Sequence, residues 1–238
     1  MGRAHEVRKQ SMEKTAAMKS AIYGRAAKEI YMAAKSGSTD PDSNLALRSA
    51  IDKAKSKQVP ADVIQRAIKR AAGGDAESYT SNRYEGYGPG NSMIIVDSLT
   101  TNVNRAIAEI RDAFNKNGGK LANAGAVSHS FQTTSVFAFE GKNVEEVLEL
   151  LMEIECEVND VVDEEGLTVV YAPFNAFNNV KQALDNANIK EYKMAEITML
   201  ADENIKISDQ EEAVKFEKLI NKLNELEDVQ NVYHNVED

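Results

Sequence analysis

The stretch RYEGYGPGNSMIIVD, residues 83–97, runs from a glycine- and proline-rich turn directly into an apolar segment. Met93 to Val96 behind such a turn suits a short buried strand. Beyond it, Val103, Ile107, Ile110 and Phe114 recur at i, i+4, i+7 and i+11, on one face of an amphipathic helix. Thr101 or Asn102 is suited to cap that helix, and Gly118 to stop it in the left-handed region. One strand and one helix close no core, so this unit requires partners from elsewhere in the chain.

Working outward, the chain of 238 residues is long enough for one large domain or two to three small ones. An apolar fraction of 42% is ordinary for a folded protein, so a real core is expected. No apolar run approaches a membrane span and no signal-like segment leads the chain, so neither a membrane partner nor export is expected. A single cysteine, Cys156, excludes an internal disulfide and fits a reducing, cytoplasmic setting. The net charge of −10 argues against nucleic acid until its distribution is read. Residues 1–78 carry 15 Lys/Arg against 9 Asp/Glu, residues 79–133 carry 5 against 4, and residues 134–238 carry 8 against 25. That asymmetry points to a basic module tethered to acidic ones.

Residues 4–36 read as one long helix with Ile22, Ala26, Ile30 and Ala33 on its apolar stripe. Lys14, Arg25, Lys28 and Lys35 fall in one arc away from that stripe. A second helix over roughly 43–57 turns Leu47, Ala50, Ile51 and Ala54 inward. A third begins near Pro60, buries Val63, Ala67, Ile68 and Ala71, and ends at Gly73–Gly74. Residues 75–82 read as a polar linker, and 120–132 as a loop leading into a strand. From Thr134 to Leu200 the periodicities alternate β-α-β-β-α-β, a ferredoxin-like unit complete in itself. A last helix over about 209–227 and a strand over 229–236 have no core of their own, so they return to the orphan unit. The expected class is α+β with three domains: basic helical 1–78, a discontinuous α+β domain of 79–133 and 205–238, and an acidic ferredoxin-like domain, 134–204, inserted into it.

The ordered motifs AIDKAKSKQVP (50–60), IQRAIKRAAGG (64–74) and RYEGYGPG (83–90) resemble the YebC/PmpR family over essentially the whole chain. The opening Met1-Gly2-Arg3-Ala4-His5-Glu6 departs from the usual family start and looks like its YeeN-type branch, so contacts of the usual N-terminus do not carry over. The resemblance implies three domains with a two-segment middle domain. It also implies a DNA-binding transcriptional regulator, with a ribosome-associated translational activator binding rRNA or tRNA as the alternative.

Candidate chemistry is sparse. His5, His129 and His234 show no ligand spacing, so no metal is expected. Cys156 lies between Glu155 and Glu157, whose charges raise a thiol pKa, which suits a structural cysteine. Gly86, Gly88 and Gly90 do not match a dinucleotide fingerprint, and Gly119–Lys120 lacks the rest of a phosphate-binding loop. No catalytic residue, cofactor or small-molecule substrate is therefore expected, and a monomer is. Tyr84 and Tyr87 have two readings, stacking on exposed bases or packing over a sheet edge. The nucleic-acid-binding candidates are Lys14, Arg25, Lys28, Lys35, Arg66, Lys69 and Arg70, cations suited to phosphates rather than base edges.

Overall fold

A computed structural model describes residues 16–73 and 78–237. The described chain forms two compact units, 131–202 and the remainder on either side of it in sequence. Together they make an α+β fold with two antiparallel four-stranded sheets.

The larger unit begins with three helices, α1 (Ala16–Lys35), α2 (Leu45–Ser56) and α3 (Ala61–Ala72). Asn44 caps α2, its side chain accepting from the Leu47 N–H at 3.0 Å while its amide donates to Ala33 and Ser38 carbonyls. That one residue fixes how α1 turns into α2. Ile30, Tyr31, Leu47 and Ile64, with several alanines, form the core between the helices.

The chain then enters β1 (Thr80–Tyr87), which the polar look of residues 75–82 hides in the sequence. β1 pairs with β2 (Met93–Thr100) through a turn over Pro89–Asn91. Helix α4 (Val103–Lys116) starts at the Asn102 cap and leads to β3, only Lys120–Leu121, on the outer side of β1. The chain returns at α7 (Gln210–Glu225) and β8 (Val229–His234), and β8 adds to the far edge of β2. The sheet order is β3-β1-β2-β8. α4 and α7 cover one sheet face, burying Ile94, Val96, Ile110, Phe114, Leu219, Leu223 and Val229 in one cluster. The orphan strand and helix thus find the partners their apolar faces require.

Residues 131–202 hold β4 (Phe131–Phe139), α5 (Val144–Glu153), β5 (Asp160–Glu164), β6 (Leu167–Pro173), α6 (Phe177–Asn186) and β7 (Tyr192–Ala201). The order β5-β6-β4-β7, antiparallel throughout, is the ferredoxin-like arrangement. Phe137, Phe139, Val147, Leu151, Phe177, Val180 and Leu184 fill the layer between sheet and helices. Residues 122–130 form the loop expected ahead of a strand, with a short helical turn at Ser128–Ser130, and β4 starts at Phe131.

A chain ending at residue 202 loses α7 and β8 and leaves Ile94, Val96, Ile110 and Phe114 uncovered. It should aggregate and show no cooperative melt. Replacing 134–201 by a short Gly/Ser linker should leave a soluble protein with a single transition, checked by light scattering and calorimetry.

Candidate nucleic-acid interface

Helix α1 has two working sides. Ala26, Ile30 and Ala34 meet α2 and α3. On the opposite arc, Arg25 and Lys28 turn to protein groups. Lys28 is only 7% exposed, and its Nζ reaches Asp228 Oδ1 at 3.2 Å, the Glu227 carbonyl at 2.9 Å and the Leu99 carbonyl at 3.3 Å. Arg25 donates to the side chain and carbonyl of Asn224 on α7, and burial pushes its guanidinium down to about 10. Arg25 and Lys28, expected from the helical wheel among the phosphate contacts, therefore join the helical layer to the sheet layer. The wheel separates polar from apolar positions, but a polar arc can bond to protein as well as to solvent.

Asp228 is the centre of this joint. It is 3% exposed and takes Arg105 through Nε at 3.0 Å and Nη2 at 2.7 Å, besides Lys28. Burial works to raise its pKa, but hydrogen bonds from Arg105, Thr100 and Lys28 outweigh it and hold the carboxyl below its ordinary value. No periodicity marks Asp228 in the sequence, since its partners lie 123 and 200 residues away.

Of the remaining candidates, Lys14 lies outside the described residues. Lys35 is exposed in the last turn of α1. Arg66, Lys69 and Arg70 project from α3 opposite the buried Ile64, Ala67 and Ala71. Arg66 pairs with Asp62 at 2.7 Å, but both side chains are largely exposed, so the pair adds little to stability. Arg70 lies over the Tyr31 ring, 4.9 Å from its centroid, and donates to the Tyr79 hydroxyl at 3.3 Å. That stacking orients the guanidinium and covers the buried ring beneath it. Lys55 is also exposed, on α2, like Arg48 two turns earlier. Arg48 is committed to the Pro41 and Asp42 carbonyls and so braces the α1–α2 loop. An exposed lysine on the flank of an apolar stripe is the only signal Lys55 carries.

The 83–97 stretch is built for packing. A Cβ on Gly86 would meet the Phe114 ring and the Lys120 carbonyl at 2.7 Å, so α4 and β3 close onto a bare backbone there. Glu85, buried, accepts the N–H groups of Gly125 at 2.8 Å, Val127 at 2.7 Å and Ser128 at 2.9 Å. Burial alone raises its pKa, yet the three backbone donors bring it below the usual value. This ring of donors explains why residues 125–128 form a loop instead of extending β4. Tyr87 donates to the Ala126 carbonyl at 3.1 Å, and Arg83 forks onto Asp97 at 2.7 and 3.0 Å. The Tyr84 ring packs against the sheet core.

Cys156 is half-buried, and burial, rather than its glutamate neighbours, pushes its thiol up. His234 packs edge-on against Phe216 at 5.0 Å, and desolvation lowers it to about 4. Among the described residues no three His, Cys, Asp or Glu side chains are placed to hold a metal. No described helix is long and apolar enough to cross a membrane.

Replacing Asp228 by Asn leaves Lys28 buried against a neutral group and should cost roughly 3–5 kcal/mol, with Lys28→Met restoring part of it in a double-mutant cycle of denaturant melts. Acid should act in the same direction. Asp228 and Glu85 have depressed folded values, so their contribution is present above the unfolded carboxylate pKa and is lost as pH falls through the folded one. His234 is neutral in the folded chain down to about 4 while the unfolded chain takes its proton near 6.5, so stability also falls over that interval. His234→Leu should remove about one proton from the slope of stability against pH between roughly 6.5 and 4, measured by melts across that range.

Comparison with known proteins agrees over the whole chain. It is 60% identical over 238 residues to a "Probable transcriptional regulatory protein" of Mycoplasma capricolum subsp. capricolum, covering all of both chains. It is 61% identical over 236 residues to a protein of the same description from Mesoplasma florum, covering 99% of each. The crystal structure of a conserved hypothetical protein from Aquifex aeolicus matches with a TM-score of 0.79 at 33% identity, over 94% of this chain and 92% of that one. The family described as "TACO1/YebC protein N-terminal domain" matches residues 3–74, and "TACO1/YebC second and third domain" matches residues 79–236. The chain belongs to the TACO1/YebC family, of which two curated relatives carry the name "Probable transcriptional regulatory protein".

Proposed function

We propose that this protein is a non-catalytic, monomeric regulator of gene expression in the cytoplasm, which grips the phosphate backbone of duplex DNA with the outer cations of its helical layer. The observation that carries this reading is α3, where Arg66, Lys69 and Arg70 crowd one turn on the side opposite the buried Ile64, Ala67 and Ala71. Lys35 and Lys55, exposed and without an ion pair among the described residues, extend the set. Cations of this kind release counterions on meeting phosphates and read no base edges, so affinity is salt-dependent and sequence preference weak. The regulator name of the relatives supports the class of function.

A second ligand, structured RNA at the ribosome, has its own supporting observation. Residues 131–202 carry 4 Lys/Arg against 15 Asp/Glu. An acidic unit of that strength is repelled by bare duplex but tolerated where basic proteins lie among the phosphates.

The test is Lys35→Gln, Arg66→Gln and Lys69→Gln together, with Arg70 kept because it covers Tyr31. The melt should stay within about 0.5 kcal/mol of the parent, since these heads are exposed. Binding to promoter duplexes should weaken evenly across sequences, and the slope of log affinity against log salt should shrink by about 2–3. If the ligand is ribosomal RNA, the parent sediments with ribosomes in a salt-sensitive way, the triple variant does not, and neither holds duplex. Equal binding by variant and parent to both ligands would refute the interface.

A further inference from the structure

The ferredoxin-like unit has a feature that nucleic-acid binding does not use. After α5 the chain reverses at Glu155, whose φ is +52°, and Cys156 turns back toward the core. Between this reversal and α6 lies an open groove of about 500 Å³. Its small inner residues are Ala176 and Ala183, both nearly buried. Along the α6 side stand Asn175, Asn179, Gln182 and Asn186, at spacings of four, three and four residues, so they share one helix face. All four are exposed, and none of their side chains makes a hydrogen bond among the described residues.

A row of carboxamides offers donors and acceptors alternately, which is what the backbone of an extended peptide requires. Eleven residues of helix rise about 16 Å, the length of roughly five residues of extended chain. A large apolar side chain, Ile154, lines the same groove and is 48% exposed. Glu153, Glu155 and Glu157, all exposed, add negative charge at this end of the unit. Charge therefore selects the occupant: a phosphate polymer is repelled, and a second copy would bring a second acidic rim against the first.

We propose that this groove is a docking site for a basic protein segment, about five residues long and extended, whose backbone bonds to the amide row while an apolar side chain rests on Ile154. The acidic rim attracts the segment's Lys and Arg side chains, and the amide row sets its direction and register. This assigns the inserted unit to protein recognition and leaves phosphate contacts to the helical layer.

The full-length chain is titrated with a dye-labelled, amidated pentapeptide, Lys-Leu-Arg-Ile-Lys, and with its acidic counterpart, Glu-Leu-Glu-Ile-Glu, by fluorescence anisotropy. The basic peptide should bind, weaken as salt is raised, and perturb backbone NMR signals of residues 154–157 and 175–186. Asn179→Ala with Gln182→Ala should weaken it about tenfold through two lost hydrogen bonds, with an unchanged melt because both side chains are exposed. Ile154→Ser should weaken it several-fold without altering its salt dependence, which separates groove binding from loose attraction to an acidic surface. Equal affinity for the double variant and the parent would overturn the proposal. So would equal binding of the acidic peptide, perturbations confined to other surfaces, or sedimentation showing a dimer that protects these same residues.

Discussion

The arrangement of the larger unit depends on one buried carboxylate. Asp228 stands at the entry to β8 and collects a cation from α1 and another from α4, while Lys28 also caps the carbonyls of Leu99 and Glu227. Three segments far apart in sequence therefore meet at one charge. An ion pair out of water repays its desolvation only when its remaining hydrogen-bonding capacity is filled, and here the extra carbonyl contacts and the two-nitrogen grip of Arg105 do that. Geometry more than net energy is the product: a thin, alanine-rich bundle that cannot grip a neighbour through bulky side chains is held in one position by directional bonds.

The helical cations are thereby divided between two duties. Lys28 is buried and Arg25 is part-buried against α7, whereas Arg66 and Lys69 are exposed. Arg70 stands between these cases, because its guanidinium is exposed while it shields an aromatic ring. A loss of nucleic-acid binding on replacing Arg25 or Lys28 would report a displaced bundle and not a missing phosphate contact. The same division explains how a chain with a net charge of −10 can present a cationic helix: the excess of acid lies in other segments.

What was legible in the sequence was whatever depends on local periodicity. The stripe through Ile110 and Phe114 marks α4, and the alternation of short strands and helices after Thr134 marks the ferredoxin-like unit. The return of the last helix and strand could also be argued, because their apolar faces had nowhere else to go. β1 was hidden because its residues are polar or glycine, and it becomes a strand only by pairing with β2 on one side and β3 on the other. The duties of Glu85, Lys28 and Asp228 were invisible for a related reason. A charged side chain looks the same in sequence whether it meets water, a phosphate, or a backbone N–H forty residues away.

The route of the chain also has a consequence in time. Residues up to about 130 supply the helical bundle, three strands of the first sheet and α4, but Asp228 and the fourth strand follow only after the whole inserted unit has been made. At ribosomal speeds of roughly 5–20 residues per second, the first hundred-odd residues wait on the order of 5–20 s for their partners. The ferredoxin-like unit has all its strands contiguous and is free to fold during that interval. β4 and β7 enter and leave it side by side, with Phe131 opposite Ala201. An insert closed in this way holds its two ends side by side, so the chain that enters it and the chain that leaves it start from neighbouring points.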